Sequence, residues 1–161
     1  METFNTFALA RALHVVGVVL WIGGVAFVTT VLLPGLRRIE DSEHRLELFE
    51  KLERRFSLQA KIATVVTGIS GFYMLEVMDA WNRYQFVQFW WLHLMTFIWL
   101  VFTIVLFFLE PFFLHEWFHK KASEDSEAAF RLIQRMHRVL LVLSLLAVFG
   151  AVAGAHGLNF F

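Results

Sequence analysis

The chain has 161 residues, is 58% hydrophobic with 19 Phe and 6 Trp, and balances 14 Lys+Arg against 14 Asp+Glu. Zero net charge gives no basic field for nucleic acid, and the absence of cysteine excludes disulfides, thiolate metal sites and iron–sulfur ligation. A mean hydropathy of +0.62 is too high for an ordinary soluble domain, and the length suits a single membrane domain over residues 1–161.

Residues 12–36, 84–109 and 139–161 contain no Asp, Glu, Lys or Arg. Each is long enough for a helix that crosses hydrocarbon, which takes roughly 20 residues. A fourth stretch, residues 62–75, reaches that length if Lys61 snorkels at one end and Glu76 sits at the other interface. Nothing alternates like barrel strands, and a chain in lipid must satisfy its backbone internally. The expected fold is therefore an all-α integral membrane protein. It is a four-transmembrane-helix bundle, with helices over about residues 8–36, 56–78, 86–118 and 125–158. The first span follows Glu2 and a single Arg11, with no clean small-residue cleavage site after it, so it reads as a retained helix rather than a signal peptide.

Seven of the basic residues lie in 37–61 and five in 120–138, leaving only Arg11 and Arg83 elsewhere. The positive-inside rule puts the two longer loops in the cytoplasm and both termini outside. Those loops carry helix starts of their own. Asp41 or Ser42 can cap a helix with Leu46, Phe49, Leu52 and Phe56 on one face, and Ser123 with Glu124 and Asp125 marks another start before Phe130 and Ile133. The third helix is expected to run past Pro111 toward Lys120. The loop charges read as a solvated face.

Histidine carries the functional signal. Of the seven, His44 lies in a charged loop. His14, His93 and His156 each fall a few residues from the outer end of a different span, so at about 1.5 Å rise per residue they share one depth. A buried imidazole in a membrane usually has a partner, and neutral imidazole ligates haem iron, copper or zinc. On the first span, His14, Gly17, Trp21, Gly24 and Val28 fall on one stripe, which gives a flat trough beside a ligand, as a porphyrin requires. Thr64, Gly68 and Gly71 form a second small-residue stripe, for which close helix packing is the competing role. Trp90, Trp91, Phe97 and Trp99 flank His93 as candidate walls. Met74, Met78 and Met95 keep Cu(I) open as an alternative. On the inner side, His115, His119 and His137 read as interface residues, with a second metal or a quinone-site proton relay near Glu110, His115 and His137 as the alternative. His93 and His115 are roughly 33 Å apart if helical, which favours one haem over two.

The run "RALHVVGVVLWIGG", residues 11–24, resembles the first helix of the CopD/HemJ-like membrane protein group, and "WWLHLM", residues 90–95, resembles its third. The resemblance implies a four-helix bundle with b-type haem, in which the first- and third-helix histidines matter; they map onto His14 and His93. HemJ-type protoporphyrinogen oxidases carry a functional lysine two residues after the third-helix histidine, where this chain has Met95. His156 is outside that pattern, as an alternative ligand or as a residue that tunes one.

The combined expectation is a b-type haem-binding membrane redox protein of the bacterial inner membrane. Its haem b is held by His14 and His93 or His156, with Gly17, Trp21 and Gly24 lining the site. It exchanges electrons with a quinone or a periplasmic partner, in the lipid bilayer and open to homo-oligomerisation. The alternatives are a copper-handling, CopD-like protein, a HemJ-like porphyrinogen oxidase, and a non-catalytic assembly subunit with structural histidines. Whether the chain is a haem-dependent oxidoreductase stays open at this point.

Overall fold

A computed structural model describes residues 2–114, 117, 120–121 and 125–158. Those residues are almost wholly helical, with no strand among them. Helix α1 spans Glu2–Phe27 and continues through a π-helical turn, Val28–Leu32, into a short α2, Leu33–Leu36. Helix α3 spans Ser42–Val77, α4 spans Trp90–Ile104 and runs on into a π-helical stretch, Val105–Leu114, and α5 spans Ser126–Ala155. Four spans result that are long and apolar enough to cross a membrane: Phe4–Leu36, Glu43–Val77, Val87–Phe112 and Ser126–Ala155.

The helix ends follow local rules. Asp41 caps α3, its Oδ1 accepting from the amides of Glu43 and His44 at 3.0 and 3.4 Å. The inner-loop helix and the second span are thus one continuous helix, longer than the expected 56–78. The last span starts on Asp125, whose carboxylate accepts from the Ala128 amide at 2.9 Å. Ser123, the other expected start signal, lies outside the described residues. The C-terminal ends of α3 and α5 close with paired return bonds. Ala80 N–H donates to Leu75 O across Asp79, and Leu158 N–H donates to Ala153 O across Gly157. These turns need a left-handed residue at the corner, and Asp79 (φ 48°) and Gly157 (φ 87°) supply it. The last helix therefore stops at Ala155, with His156 as its capping residue.

Both π-helical turns adjoin a proline. Proline has no N–H and its ring collides with the carbonyl four residues back. A wider turn moves that carbonyl aside, and here Leu33 N–H reaches back five residues to Val28 O just before Pro34. Pro111 sits within the second π stretch, so helical geometry continues past it as expected.

The first span packs mainly on α3, and α4 packs mainly on α5. Trp21, Val25, Ala60, Ile98, Phe102 and Ala147 fill the middle of the bundle, where Trp21 and Phe102 meet edge to face at 5.0 Å. Phe49 and Phe130 lead a second cluster toward the inner end. The outward faces carry Val15, Val19, Ile62, Ile69, Leu145 and Phe149, all exposed. An apolar outside of this extent is the mark of an integral membrane protein.

The charged segments before α3 and α5 are not merely a solvated face. Glu127 Oε1 accepts from Arg37 Nε at 2.9 Å and from Arg37 Nη2, while its Oε2 accepts from Arg45 Nη1 at 3.2 Å. Arg37 also donates to Gln134 Oε1 at 2.8 Å, and Arg45 lies over the Phe130 ring at 5.6 Å. One carboxylate in the first turn of α5, where the helix dipole favours it, thus ties the end of α2, the start of α3 and the start of α5 together. Arg45 is only 8% exposed. Glu127→Ala leaves it without its carboxylate and is expected to destabilise the bundle by about 1–3 kcal/mol, less than a fully buried pair because Glu127 is partly solvated. The unfolding midpoint in detergent measures this, and an unchanged midpoint refutes the tie.

Candidate functional site

His14 projects from α1 onto α3. Its Nδ1–H donates to Thr67 O at 2.9 Å, and Ser70 Oγ lies 3.3 Å from the same nitrogen. A carbonyl oxygen only accepts, so Nδ1 carries the proton and Nε2 keeps its free electron pair. Gly71 makes the approach feasible: a Cβ there would stand 3.0 Å from His14 Cε1.

The other histidines are held differently. His137 and His156 donate from Nδ1 to the carbonyl one turn back on their own helix, Ile133 O at 2.9 Å and Val152 O at 2.7 Å. His93 has Nδ1 3.2 Å from Phe89 O and Nε2 3.0 Å from Tyr84 O, two carbonyl acceptors of which a neutral imidazole can donate to one. The turn that carries Tyr84 is pinned by aromatics: Trp81 stacks on Phe72, Tyr84 meets His93 edge-on at 5.4 Å, and the Tyr84 hydroxyl bonds Thr96 Oγ1 at 2.6 Å. His14 is therefore the one described histidine whose ring is fixed by a neighbouring span. His115 and His119 lie outside the described residues. His44 is an exposed residue in the first turn of α3.

The stripes expected from the sequence are real, and packing occupies them. A Cβ on Gly17 would fall 2.5 Å from Thr67 Oγ1 and 3.3 Å from Ala63 O, and one on Gly24 would strike the Phe56 ring. The face of α1 read as a trough is thus filled by α3. Trp21 turns into the core against Phe102. The tryptophans flanking His93 also lie on glycines: Trp99 on Gly68, with its Nε1–H donating to Thr64 O at 2.9 Å, and Trp90 and Trp91 on Gly150 and Gly154. Phe97 points outward. The three outer histidines have three separate sets of partners, and among the described residues no group of three His, Asp or Glu side chains is placed to share a metal ion.

Sequence reasoning did not find the partners of His14, nor the inner-end pairing of Glu110 with Lys61 Nζ at 3.1 Å and with Ser57. Each joins residues about 50 positions apart, which no local pattern reports. The alternative reading of the inner histidines grouped Glu110 with His115 and His137; the partners seen for Glu110, Ser57 and Lys61, come from α3. Compared with known proteins, the chain matches no family profile, no curated protein and no solved structure.

Gly17 and Gly23, six residues apart on α1, separate a packed position from a permissive one. Gly17→Ala overpacks the α1–α3 contact and is expected to cost about 1–3 kcal/mol. Gly23→Ala meets nothing within 4 Å and is expected to be neutral or to stabilise slightly through helix propensity. Thermal unfolding of the two variants in detergent compares them directly, and equal midpoints contradict the packing role.

Proposed function

We propose that the chain is a b-type haem-binding membrane redox protein in which His14 is the anchoring ligand. The observation that carries this reading is the Nδ1–H bond of His14 to Thr67 O. Metal-bound histidines almost always donate their second nitrogen to a carbonyl or carboxylate, which fixes the tautomer and aims the lone pair of the other. His14 has that arrangement across a helix interface, inside a span where an imidazole is costly without a purpose.

The fit of a haem is uneven along the first span. The donor chemistry of His14 suits iron. The glycine faces do not supply room for a ring, since Thr67, Ala63 and Phe56 occupy them, so Gly17 and Gly24 serve the bundle rather than the cofactor. A second ligand would come from His156, whose Nδ1–H is held by Val152 O, or from His93, which lies between two carbonyl acceptors, Phe89 O and Tyr84 O. A haem with two imidazole ligands supplies single-electron transfer without an open iron site. In this reading the termini and His14 lie toward the outer face, as the basic loops require, within reach of a quinone or a periplasmic partner. Met95 stands where the porphyrinogen oxidases carry lysine, which weighs against that activity.

Absorption spectroscopy tests the assignment on protein purified in detergent from haem-replete cells. The wild type is expected to show a Soret band that shifts on reduction. His14→Ala is expected to lose the haem, and one of His156→Ala and His93→Ala to shift the spectrum. A colourless wild type, or His14→Ala with full haem content, overturns the reading.

A further inference from the structure

Several basic side chains are paired within the bundle. Glu127 gathers Arg37, Arg45 and Arg131, and Glu110 holds Lys61. Arg55 is exposed and has no ion pair or hydrogen bond among the described residues. It is also the last free charge on α3 before a long apolar reach: only Lys61, turned to Glu110, stands between it and Glu76. Beyond it, Leu58, Ile62, Val65 and Ile69 are exposed and follow at three- and four-residue spacing. The guanidinium therefore heads an outward-facing apolar stripe.

Two hollows meet at this arginine. One is an apolar groove of about 210 Å³ between the first span and α3, lined by Phe27, Leu32, Leu52, Phe56 and Gln59 with Arg55. Its floor is fixed: Phe56 lies on Gly24, and the Gln59 amide donates to Leu20 O at 3.3 Å. The other hollow, of about 330 Å³, runs along α3 toward Ser42 and is lined by Glu47, Glu50, Lys51, Arg54 and Arg55. Long side chains on a helix lean toward its N-terminus, so Arg55 reaches from the groove into this polar hollow. Three basic and two acidic side chains leave the hollow a net charge of +1. Polar hollow, arginine and apolar groove thus follow one another along α3 in the order of a head group, a phosphate and a tail.

We infer that the groove is a binding site for one anionic phospholipid, with the phosphate on Arg55 and one acyl chain between the first span and α3. A singly negative lipid whose head group carries no cation of its own matches the charge of the hollow; a zwitterionic one does not. Bulk lipid tails are as apolar as the groove, so the chain fills it without choosing the lipid. The choice lies with the excess positive charge and with the planar guanidinium, which pairs with phosphate through charge-assisted bonds. The site goes beyond the haem reading and requires no haem.

The chain has no cysteine, so Leu52→Cys carries a bimane label at the groove and nowhere else. Leu52 is 37% exposed and tolerates the label. The labelled full chain is reconstituted in phosphatidylcholine vesicles, with phosphatidylglycerol or phosphatidylcholine brominated in the acyl chains as quencher. Brominated phosphatidylglycerol is expected to reach half-maximal quenching at a roughly fivefold lower mole fraction, the factor that one basic side chain contributes toward anionic lipid. The same label on Ile69→Cys, at an exposed position far along α3, is expected to show no preference. Arg55→Glu is expected to remove the preference at Leu52→Cys and Arg55→Lys to keep it; Arg55 holds no other group, so its variants keep the fold. Arg138→Glu, at an exposed arginine of α5 outside the groove, is expected to leave the preference unchanged. Equal quenching by the two lipids at Leu52→Cys, or a preference that survives Arg55→Glu, overturns the proposal. A preference that Arg138→Glu reduces as far as Arg55→Glu does marks diffuse surface charge and also overturns it. So does a preference abolished by inorganic phosphate but not by chloride at equal ionic strength, which marks a free-anion site.

Discussion

Close contact between the first span and α3 is the constraint on which the rest of the bundle depends. In hydrocarbon there is little hydrophobic force between helices, so association rests on van der Waals packing and on interhelical polar bonds. Gly17 and Gly24 let the backbone of α1 approach α3, and Gly71 lets the His14 ring reach Thr67 O. Small residues and the imidazole are parts of one contact. Without the glycines His14 would stand off from its carbonyl partner; without that bond a buried donor would be left unmatched.

The end of the bundle around Glu127 is organised by charge instead. Glu127 gathers Arg37 and Arg45 from two different segments, at a level where water still screens part of the interaction. The π turns beside Pro34 and Pro111 also lie toward this end. Together they set where the first and third spans leave the bundle, while the outer end is closed by helix caps and by the aromatic turn around Trp81 and Tyr84.

Much of this was legible in the residues. Uncharged runs located the spans, Asp41 marked the start of α3, and helical spacing put His14, Gly17 and Gly24 on one face, which is the face they share. What that face meets was not legible. A stripe of glycine beside histidine has the same spacing whether it receives a flat ring or a neighbouring helix, and the answer lies some 50 residues away in Ala63, Thr67 and Gly71. The Trp–Gly pairs show the same limit: Trp90 and Trp91 could wall a cofactor by position, and Gly150 and Gly154, which receive them, belong to another span.

The hydrogen-bond patterns of the threonines add a last constraint. A membrane helix can carry hydroxyls cheaply if each folds back on its own backbone, and four described threonines do so. Thr64 and Thr67 differ: their hydroxyls are buried and unmatched, while their carbonyls accept from Trp99 and His14. The two backbone groups that organise the neighbouring spans thus belong to the two residues whose hydroxyls are left unmatched. Packing and polarity are set at the same positions, so a substitution that quiets the hydroxyls can keep the carbonyls, and with them the bundle, in place. For that reason α3 can hold the fold together and still keep a polar interior between His14 and Glu110.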